Sequence, residues 1–252
     1  MAYTMFDLTG RIAVVTGANT GIGQGIAVAL AQAGAAIVAV GRSSVEETEA
    51  RVKAAGSRFH AIKADLSAIE PVKAIVAETL DVFGGLDILV NNAGIIRRAD
   101  AVDFTEEDWD AVMDVNLKTA FFLSQAAGRH MIAKGRGKII NIASMLSFQG
   151  GIRIPSYTAS KSGLAGLTRL LACEWAGKGV NVNAIAPGYF VTNNTTALRE
   201  DPERNAAILA RIPAGRWGEP SDIGGAAVFL ASSASDYVHG TILPVDGGWL
   251  AR

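Results

Sequence analysis

Short runs of apolar and β-branched residues alternate with longer amphipathic or small-residue stretches along the whole chain. The short runs predict strands at residues 11–16, 36–40, 59–64, 87–91, 137–143, 180–186 and 241–246. The longer stretches predict helices near residues 22–33, 45–55, 68–83, 106–134, 157–177 and 221–232. Strands alternating with helices are typical of parallel pairing through right-handed crossovers, so the pattern predicts an α/β fold with helices on both faces of a sheet.

The alternation predicts one domain spanning residues 1–252, since no linker, fixed-period repeat or low-complexity tract divides the chain. The least regular segment is 189–220, which contains several asparagine, proline and glycine residues. We interpret it as a substrate loop that closes over a site. The alternative is a surface loop that does not move.

The charge balance and the apolar pattern exclude several classes of partner. Lys plus Arg is 23 against 24 for Asp plus Glu, which gives no broad attraction to nucleic acid or membrane surface. The amino terminus lacks a signal-peptide pattern, and Gln32 and Gly34 interrupt the most apolar stretch, so we expect no membrane span. The single cysteine, Cys173, cannot form an internal disulfide. We therefore expect a cytoplasmic protein.

A glycine-rich turn, TGANTGIG at residues 16–23, follows the first predicted strand and opens the first predicted helix. Gly17, Gly21 and Gly23 allow a tight turn and a close approach of the backbone to a ligand. The N–H groups of the following helix terminus suit a pyrophosphate. The spacing is G-x-x-x-G-x-G rather than G-x-G-x-x-G, but its place after the first strand favours nucleotide binding over a simple turn.

Two further loops belong to the same edge of the predicted sheet. Asp65 follows the third strand, where its carboxylate either accepts a hydrogen bond from an adenine amino group or caps the next helix. NNAG at residues 91–94 follows the fourth strand and places Gly94 where a backbone can pass close to a ribose. Ligands of open α/β sheets lie beyond the carboxyl ends of the strands, so these loops indicate one nucleotide site.

The stretch SYTASKSG at residues 156–163 sets Tyr157 one helical turn before Lys161. A phenol has a pKa near ~10, and a nearby ammonium lowers that value and favours proton exchange at neutral pH. Ser144 ends the fifth predicted strand, where its hydroxyl can hold a substrate oxygen while Tyr157 exchanges the proton. Taken singly, each of these residues also fits an ordinary structural role.

Together these motifs, with PGYFVT at residues 187–192, resemble the short-chain dehydrogenase/reductase family over essentially the whole chain. The resemblance implies a single doubly wound Rossmann domain with strand order 3-2-1-4-5-6-7 and a nicotinamide dinucleotide. It implies that Asn116, Ser144, Tyr157 and Lys161 are catalytic, with Asn116 extending a proton relay to Lys161. The predicted cofactor-binding residues are Gly17, Asn19, Thr20, Gly21, Ile22, Gly23, Arg42, Ser43, Asp65, Leu66, Asn92, Ala93, Gly94, Tyr157, Lys161, Pro187, Gly188, Phe190 and Thr192.

The implied reaction is the interconversion of a secondary alcohol and a ketone, with hydride exchange at the nicotinamide and proton exchange at Tyr157. No metal is expected, because His60, His130 and His239 are scattered and show no ligand spacing. The alternative from another class is a dinucleotide-sensing protein without chemistry. The joint presence of Ser144, Tyr157 and Lys161 favours the enzyme.

Several segments of the second half, including INIASMLSFQGGIRIPSYTASKSG and DGGWLAR, resemble members of the family that act on deoxy-ketogluconate-type sugar acids. Ketoreductases that act on acyl-carrier-protein substrates are the alternative. The resemblance also implies a homotetramer, assembled through the helices near 106–134 and 157–177 and the last strand.

The end of the second strand bears on the choice of nicotinamide. Enzymes that prefer NAD often place an acidic residue there, whereas this chain has Gly41 followed by Arg42 and Ser43, which can receive a 2′-phosphate. The glycine turn nevertheless lacks the basic residue that many NADP users carry. The resemblance implies NAD, and the local residues also permit NADP.

Arginines near the expected site are candidates for holding a sugar carboxylate, because a guanidinium can donate two parallel hydrogen bonds. Adjacent side chains of an extended segment point in opposite directions, so one of Arg97 and Arg98 is expected to face the substrate. Arg153 belongs to the connection between Ser144 and Tyr157, with Gln149 as a neutral companion. We rank Arg153 first and Arg98 second, and a solvated surface charge is the alternative for each.

Overall fold

A computed structural model describes residues 4–252, and within them the strands form one parallel sheet of seven members. The order is β3-β2-β1-β4-β5-β6-β7, which confirms the doubly wound topology predicted from the sequence. Residues 1–3, part of the amino-terminal stretch in which no signal peptide was expected, lie outside the described residues. The strands are β1 Ile12–Thr16, β2 Ala36–Gly41, β3 Phe59–Lys63, β4 Ile88–Asn91, β5 Gly137–Ile142, β6 Val180–Pro187 and β7 Ile242–Val245.

Helices cover both faces of this sheet. Their bounds are α1 Gly21–Gln32, α2 Glu46–Ala54, α3 Pro71–Phe83, α4 Glu106–Met113, α5 Thr119–Lys134, α6 Pro155–Trp175, α7 Thr196–Glu200, α8 Pro202–Arg211 and α9 Gly224–Ala231. None of the helices in residues 4–252 is long and apolar enough to cross a membrane.

Successive residues of a strand supply two separate cores, because their side chains point to opposite faces. In β1, Ala13 and Val15 belong to the core that contains Ile26 of α1. Ile12 and Val14 belong to the core on the other face, which includes residues of α3, α5 and α6. Burial on both faces explains why interior strands such as β1, β2 and β4 have continuous apolar sequences rather than an alternating pattern.

Two regions differ from the predicted elements. The helix expected over 106–134 contains a π-helical turn, Asp114–Lys118, between α4 and α5. The segment 189–220, expected to be irregular, includes α7 and α8. Asp201 caps α8, since its carboxylate accepts from the N–H groups of Glu203 (3.0 Å) and Arg204 (3.1 Å), and Pro202 suits the first helical position. The prolines of this segment therefore start a helix as well as interrupt one.

Candidate active site

The glycine-rich turn has no room for side chains at two of its positions. Gly17 adopts φ = 64°, a left-handed conformation that favours glycine. A Cβ on Gly23 would overlap the carbonyl oxygen of Gly17 and the Nδ2 atom of Asn92. Asn92 Nδ2 donates to the carbonyl oxygens of Thr16 (2.9 Å) and Gly17 (3.1 Å), which joins the turn to the loop after β4. The sequence therefore uses glycine where the two loops touch.

The first helix, α1, begins at Gly21, within this glycine-rich stretch. Thr20 is its N-cap in an extended conformation, and within residues 4–252 its side chain makes no capping hydrogen bond. The first-turn N–H groups, which have no partner inside a helix, are thus left without a side-chain cap. With the dipole of α1, they suit an anionic group such as a pyrophosphate.

Two adjoining cavities lie along the carboxyl edge of the sheet and share Gly17, Asn19, Ala93 and Gly94 in their walls. The larger, of about 370 Å³, is lined by the glycine turn, the NNAG loop, Ser144, Tyr157, Lys161 and the segment after β6. The smaller, of about 170 Å³, is lined by residues that include Arg42, Ser43, Asp65 and Leu66. All the residues predicted to bind the cofactor line one cavity or the other. The glycine cradle and the uncapped helix turn fit a dinucleotide.

Tyr157 and Lys161 lie one turn apart in α6, which begins at Pro155. The Nζ atom of Lys161 is 5.6 Å from the centroid of the Tyr157 ring and donates a 2.6 Å hydrogen bond to the carbonyl oxygen of Ile142. Lys161 is buried. The bond to the end of β5 holds the ammonium group beside the phenol at the wall of the larger cavity.

Burial perturbs the pKa values of both side chains. It lowers the pKa of Lys161 to about 8 and raises the pKa of Tyr157, because the charged form of each group loses its hydration. A hydrogen bond with Ser144 and the positive charge of Arg98 oppose the rise at Tyr157. The sequence predicted that Lys161 would lower this pKa. The lowering contributions in the structure come from Ser144 and Arg98, and burial outweighs them.

Ser144 lies two residues after the end of β5 and caps a short 3₁₀ turn, because its Oγ accepts from the N–H of Leu146 at 3.2 Å. Two more hydroxyls tie this turn to α6. Ser147 donates to the carbonyl oxygen of Lys161 at 2.7 Å, and Ser162 donates to that of Leu146 at 3.1 Å. These bonds fix the position of Ser144 relative to the Tyr157–Lys161 turn, although the three residues come from two separate elements.

Asn116 lies in the π-helical turn between α4 and α5 and is buried. Its Oδ1 accepts from the N–H of Ile95 at 2.8 Å, and its Nδ2 donates to the carbonyl oxygen of Ile95 at 3.0 Å and to Ser160 Oγ at 3.3 Å. The extra residue of a π-turn is often found at functional sites. Here it directs Asn116 between the NNAG loop and α6.

Of the predicted substrate residues, Ser144 lines the larger cavity, whereas Arg98, Gln149 and Arg153 lie outside the walls of both cavities. Arg153 is paired with Asp100 at 3.0 Å, and its backbone adopts φ = 63°. Arg98 donates to the carbonyl oxygen of Asn194, at 3.2 Å, and its charge acts on Tyr157. Gln149 accepts a hydrogen bond from Trp249. Of the two arginines proposed as anchors, Arg98 is thus the one in contact with the wall of the larger cavity.

Sequence reasoning missed part of the cavity wall contributed by Asn193, Asn194 and Thr195. These residues form a 3₁₀ turn directly after Thr192, and Thr195 Oγ1 accepts from the N–H of Thr192 at 3.2 Å. A Cβ on Gly21 would lie 3.2 Å from Thr192 Cγ2, so this turn rests against the glycine turn. The consecutive polar residues were a turn signal, but the approach to the glycine turn depends on the tertiary fold.

Comparison with known proteins gives full-length matches. A family model described as "Enoyl-(Acyl carrier protein) reductase" matches residues 17–250. The 2-dehydro-3-deoxy-D-gluconate 5-dehydrogenase of Escherichia coli K12 is 61% identical, with 100% of each chain covered.

Solved structures agree with this result. A putative 2-deoxy-D-gluconate 3-dehydrogenase from Agrobacterium tumefaciens, with bound NADP, has a TM-score of 0.93 at 61% identity and covers 98% of this chain and 99% of its own. A gluconate 5-dehydrogenase from Burkholderia cenocepacia, in complex with NADP and tartrate, has a TM-score of 0.94 at 43% identity over 100% of both chains.

Proposed function

This chain belongs to the short-chain dehydrogenase/reductase family of nicotinamide-dependent oxidoreductases, and we propose that it interconverts the alcohol and ketone of a deoxy-ketogluconate-type sugar acid. The observation that carries the proposal is the convergence of Ser144, Tyr157 and Lys161 on the larger cavity. The 61% identity to a 2-dehydro-3-deoxy-D-gluconate 5-dehydrogenase supports the substrate class. Reduction of acyl-carrier-protein substrates is a weaker alternative, since its support is the description of the matching family model.

The residues along the carboxyl edge would hold the cofactor. The uncapped first turn of α1 would hold the pyrophosphate, Asp65 would bind the adenine amino group and Thr192 would bind the nicotinamide carboxamide. When bound, the nicotinamide supplies the group that accepts or donates hydride. Lys161 would hydrogen-bond the ribose hydroxyls, and its burial keeps water from competing for them.

Tyr157 would move the proton at its phenolic oxygen. In ketone reduction the phenol, which its raised pKa keeps protonated, would donate the proton to the substrate oxygen that Ser144 holds. In alcohol oxidation the phenolate would accept the substrate hydroxyl proton at the same position. Proton transfer by a positioned side chain contributes about 10²–10⁴-fold to a rate. Asn116, through Ser160 and the backbone at Ile95, would hold the proton path towards Lys161.

We propose Arg98 as the first anchor of the substrate carboxylate and Arg153 as the second. Arg98 already spans the space between the NNAG loop and Asn194, in the segment 189–220 that we propose as the substrate lid. Arg153 is paired with Asp100. That pair is exposed and hence weak, so it does not remove Arg153 from consideration. Tartrate in the Burkholderia structure supports a hydroxy-acid ligand for this group of enzymes.

We propose NAD as the preferred cofactor, with NADP also accepted. Asp65 lies 3.8 Å from Arg42, and its carboxylate offsets the attraction of the guanidinium for a 2′-phosphate. Two observations favour NADP instead. Gly41 leaves the end of β2 without a carboxylate, and the Agrobacterium relative contains NADP. We expect Arg42 to contact the adenosine ribose region with either cofactor. A kcat/KM preference for NADP beyond about tenfold, ~1.4 kcal/mol, would reject this choice.

A cytoplasmic homotetramer remains our prediction for the assembled enzyme. Trp109 of α4 and Leu170 of α6 are large apolar side chains with exposed fractions of 39% and 49%, on two of the helices expected to pair. Light scattering coupled to size-exclusion chromatography tests the assembly, and a monomer across the micromolar range would reject it.

The substrate proposal is tested with purified enzyme and a panel of deoxy-ketogluconates, gluconate, neutral polyols and acyl ketones, each with NAD(H) and NADP(H). We expect the highest kcat/KM for a deoxy-ketogluconate. Higher kcat/KM for an acyl ketone would transfer the assignment to the alternative class, and no turnover of any alcohol or ketone would reject the enzyme assignment.

A further inference from the structure

The last residues of the chain form a turn that places Trp249 in the interior. Asp246 holds this turn, because its carboxylate accepts hydrogen bonds from the N–H groups of Gly248 (2.8 Å) and Leu250 (2.9 Å). Trp249 is 4% exposed. Burial of the ring and the two hydrogen bonds to Asp246 give this tryptophan a fixed place in the fold.

The indole ring of Trp249 is held by contacts from three other segments. Tyr189, from the loop after β6, packs against it with ring centroids 4.9 Å apart and planes inclined at 61°. The Cζ atom of Arg211, at the end of α8, lies 3.9 Å from the ring centroid. Met145, the residue after Ser144, belongs to the same apolar cluster. The ring therefore lies where the catalytic serine segment, the proposed lid and the carboxyl terminus meet.

A single hydrogen bond joins this ring to Gln149. Trp249 Nε1 donates to Gln149 Oε1 at 3.2 Å, across 100 residues of sequence. An indole N–H can only donate, so the atom of Gln149 that faces it must be the carbonyl oxygen. The amide NH₂ of Gln149 has no hydrogen-bond partner among residues 4–252. These two donors are open to a ligand or to solvent. Gln149 lies five positions after Ser144 and outside the walls of both cavities, so a substrate would meet its amide beyond them.

We infer that Trp249 is a positioning residue, which orients the Gln149 amide so that it donates hydrogen bonds to the substrate. The inference rests on the proposed function, because the carboxylate, carbonyl and hydroxyl oxygens of a sugar acid all accept such bonds. Without the indole bond the amide can turn over and present its oxygen to those acceptors. The bond also orders a flexible side chain before the substrate arrives, which reduces the entropy cost of binding.

The Trp249→Phe variant tests this role, since it keeps an aromatic ring between Tyr189 and Arg211 and removes the N–H donor. We expect KM for the sugar acid to rise about five- to tenfold, the range for one hydrogen bond, with kcat changed by less than about twofold. KM for the cofactor is expected to stay unchanged. A loss confined to kcat would overturn the inference.

A double-mutant cycle separates positioning through Gln149 from general support of the fold. In a Gln149→Ala background, Trp249→Phe should leave KM where Gln149→Ala alone puts it, because the group that Trp249 orients is already absent. Effects that multiply in the double variant would show that Trp249 acts by another route, and would overturn the inference.

Trp217 provides a matched control in the same aromatic cluster. Its ring lies 5.4 Å from that of Tyr189, and its Nε1 donates to Asn205 Oδ1 at 2.8 Å rather than to Gln149. Any effect of Trp217→Phe on KM should therefore multiply with that of Gln149→Ala. If Trp217→Phe also loses its effect in the Gln149→Ala background, the coupling reflects loosening of the cluster and the inference is wrong.

A measurement that does not depend on turnover examines the bond itself. The indole ¹H–¹⁵N resonance of Trp249, assigned by its loss in Trp249→Phe, should shift and exchange faster with solvent in Gln149→Ala, whereas the Trp217 resonance should not. An unchanged Trp249 resonance would overturn this inference and leave the proposed function standing. A wild-type enzyme that turns over no sugar acid would overturn the proposed function, and this inference with it.

Discussion

The cofactor side and the substrate side of this site are built in different ways. On the cofactor side, loops that directly follow β1, β2, β3 and β4 form the walls, and contacts between backbones set their shape, as at Gly17 and Gly23. On the substrate side, single hydrogen bonds join side chains to segments about a hundred residues away, such as Arg98 to Asn194 and Gln149 to Trp249. We infer that the sheet fixes where the dinucleotide lies, whereas distant side chains fix which substrate is accepted.

The two sides also differ in the interactions that stabilise them. The glycine turn joins β1 to α1, and both elements contribute buried side chains, such as Val15 and Ile26, to one core. The proposed lid depends on the cap at Asp201, an exposed ion pair between Arg216 and Asp222, and the aromatic cluster of Tyr189, Trp217 and Trp249. Regions with few buried contacts open most readily, which suits a segment that must admit a substrate.

Among substitutions that leave Tyr157 in place, the largest effect is expected on the cofactor side, from Gly23→Ala. The added methyl group would overlap the Gly17 carbonyl oxygen and Asn92 Nδ2, and overpacking against backbone costs up to ~3 kcal/mol. We expect the affinity for the dinucleotide, measured by fluorescence titration, to fall by about a hundredfold. Gly225→Ala is the control, since its Cβ meets nothing within 4 Å in α9 and should leave cofactor binding unchanged. Unchanged binding by Gly23→Ala would contradict the cradle.

On the substrate side we expect Arg98→Ala to raise KM for the sugar acid by about tenfold or more, because a charge-assisted hydrogen bond is lost. KM for the cofactor and activity on an uncharged ketone should change much less. Arg97→Ala is the matched control, as the neighbouring guanidinium is paired with Asp108 at 3.0 Å. If Arg98→Ala and Arg153→Ala both leave the sugar-acid KM untouched, the anchor model is wrong.

A smaller effect is expected at the lid helix. Asp201→Ala removes the acceptor for the N–H groups of Glu203 and Arg204, and loss of such a cap costs about 1 kcal/mol. Hydrogen exchange over residues 202–211 should become faster, while exchange in α1 stays the same. Asp201→Asn keeps a capping oxygen and should restore most of the protection. Equal exchange in all three proteins would mean that tertiary contacts alone hold α8.

The smallest effect is a pH dependence at the base of the lid. Two hydrogen bonds from Arg216 hold the pKa of Asp222 at about 2. A carboxyl whose folded-state pKa is depressed stabilises the fold above its unfolded pKa of about 3.9, and that stabilisation is lost as the pH falls towards the folded value. Between about pH 4 and 2, Trp217 fluorescence should therefore report loosening of this segment. The Asp222→Asn variant should lack this acid transition, and an identical transition in the variant would contradict the assignment.

The sequence was sufficient to predict the topology of the sheet and most of the residues that line the two cavities of the proposed cofactor side. Periodicity located the strands of the sheet, and the glycine and NNAG motifs identified backbone positions where a side chain has no space. These features are local, because a strand pattern or a glycine at a tight turn is determined by its immediate neighbours. The helices α7 and α8 were missed, since proline was interpreted as a breaker where it begins α8.

The substrate side was predicted less completely, because its contacts depend on the tertiary fold. The ion pair between Arg153 and Asp100, which turned our preference towards Arg98, has no signature in either segment. The hydrogen bond from Trp249 to Gln149 joins a carboxyl-terminal turn to the loop after β5. No local pattern places those two residues together.

Tyr157→Phe tests most directly the claim that the chemistry and the cofactor site are separable. The substitution removes the phenolic oxygen and keeps the ring beside Lys161. Turnover of the sugar acid and the dissociation constant of the dinucleotide should be measured on the same preparation. We predict that kcat falls by about 10²–10⁴-fold while the dissociation constant changes by less than about twofold. Unchanged turnover, or loss of cofactor binding in parallel with turnover, would contradict the account.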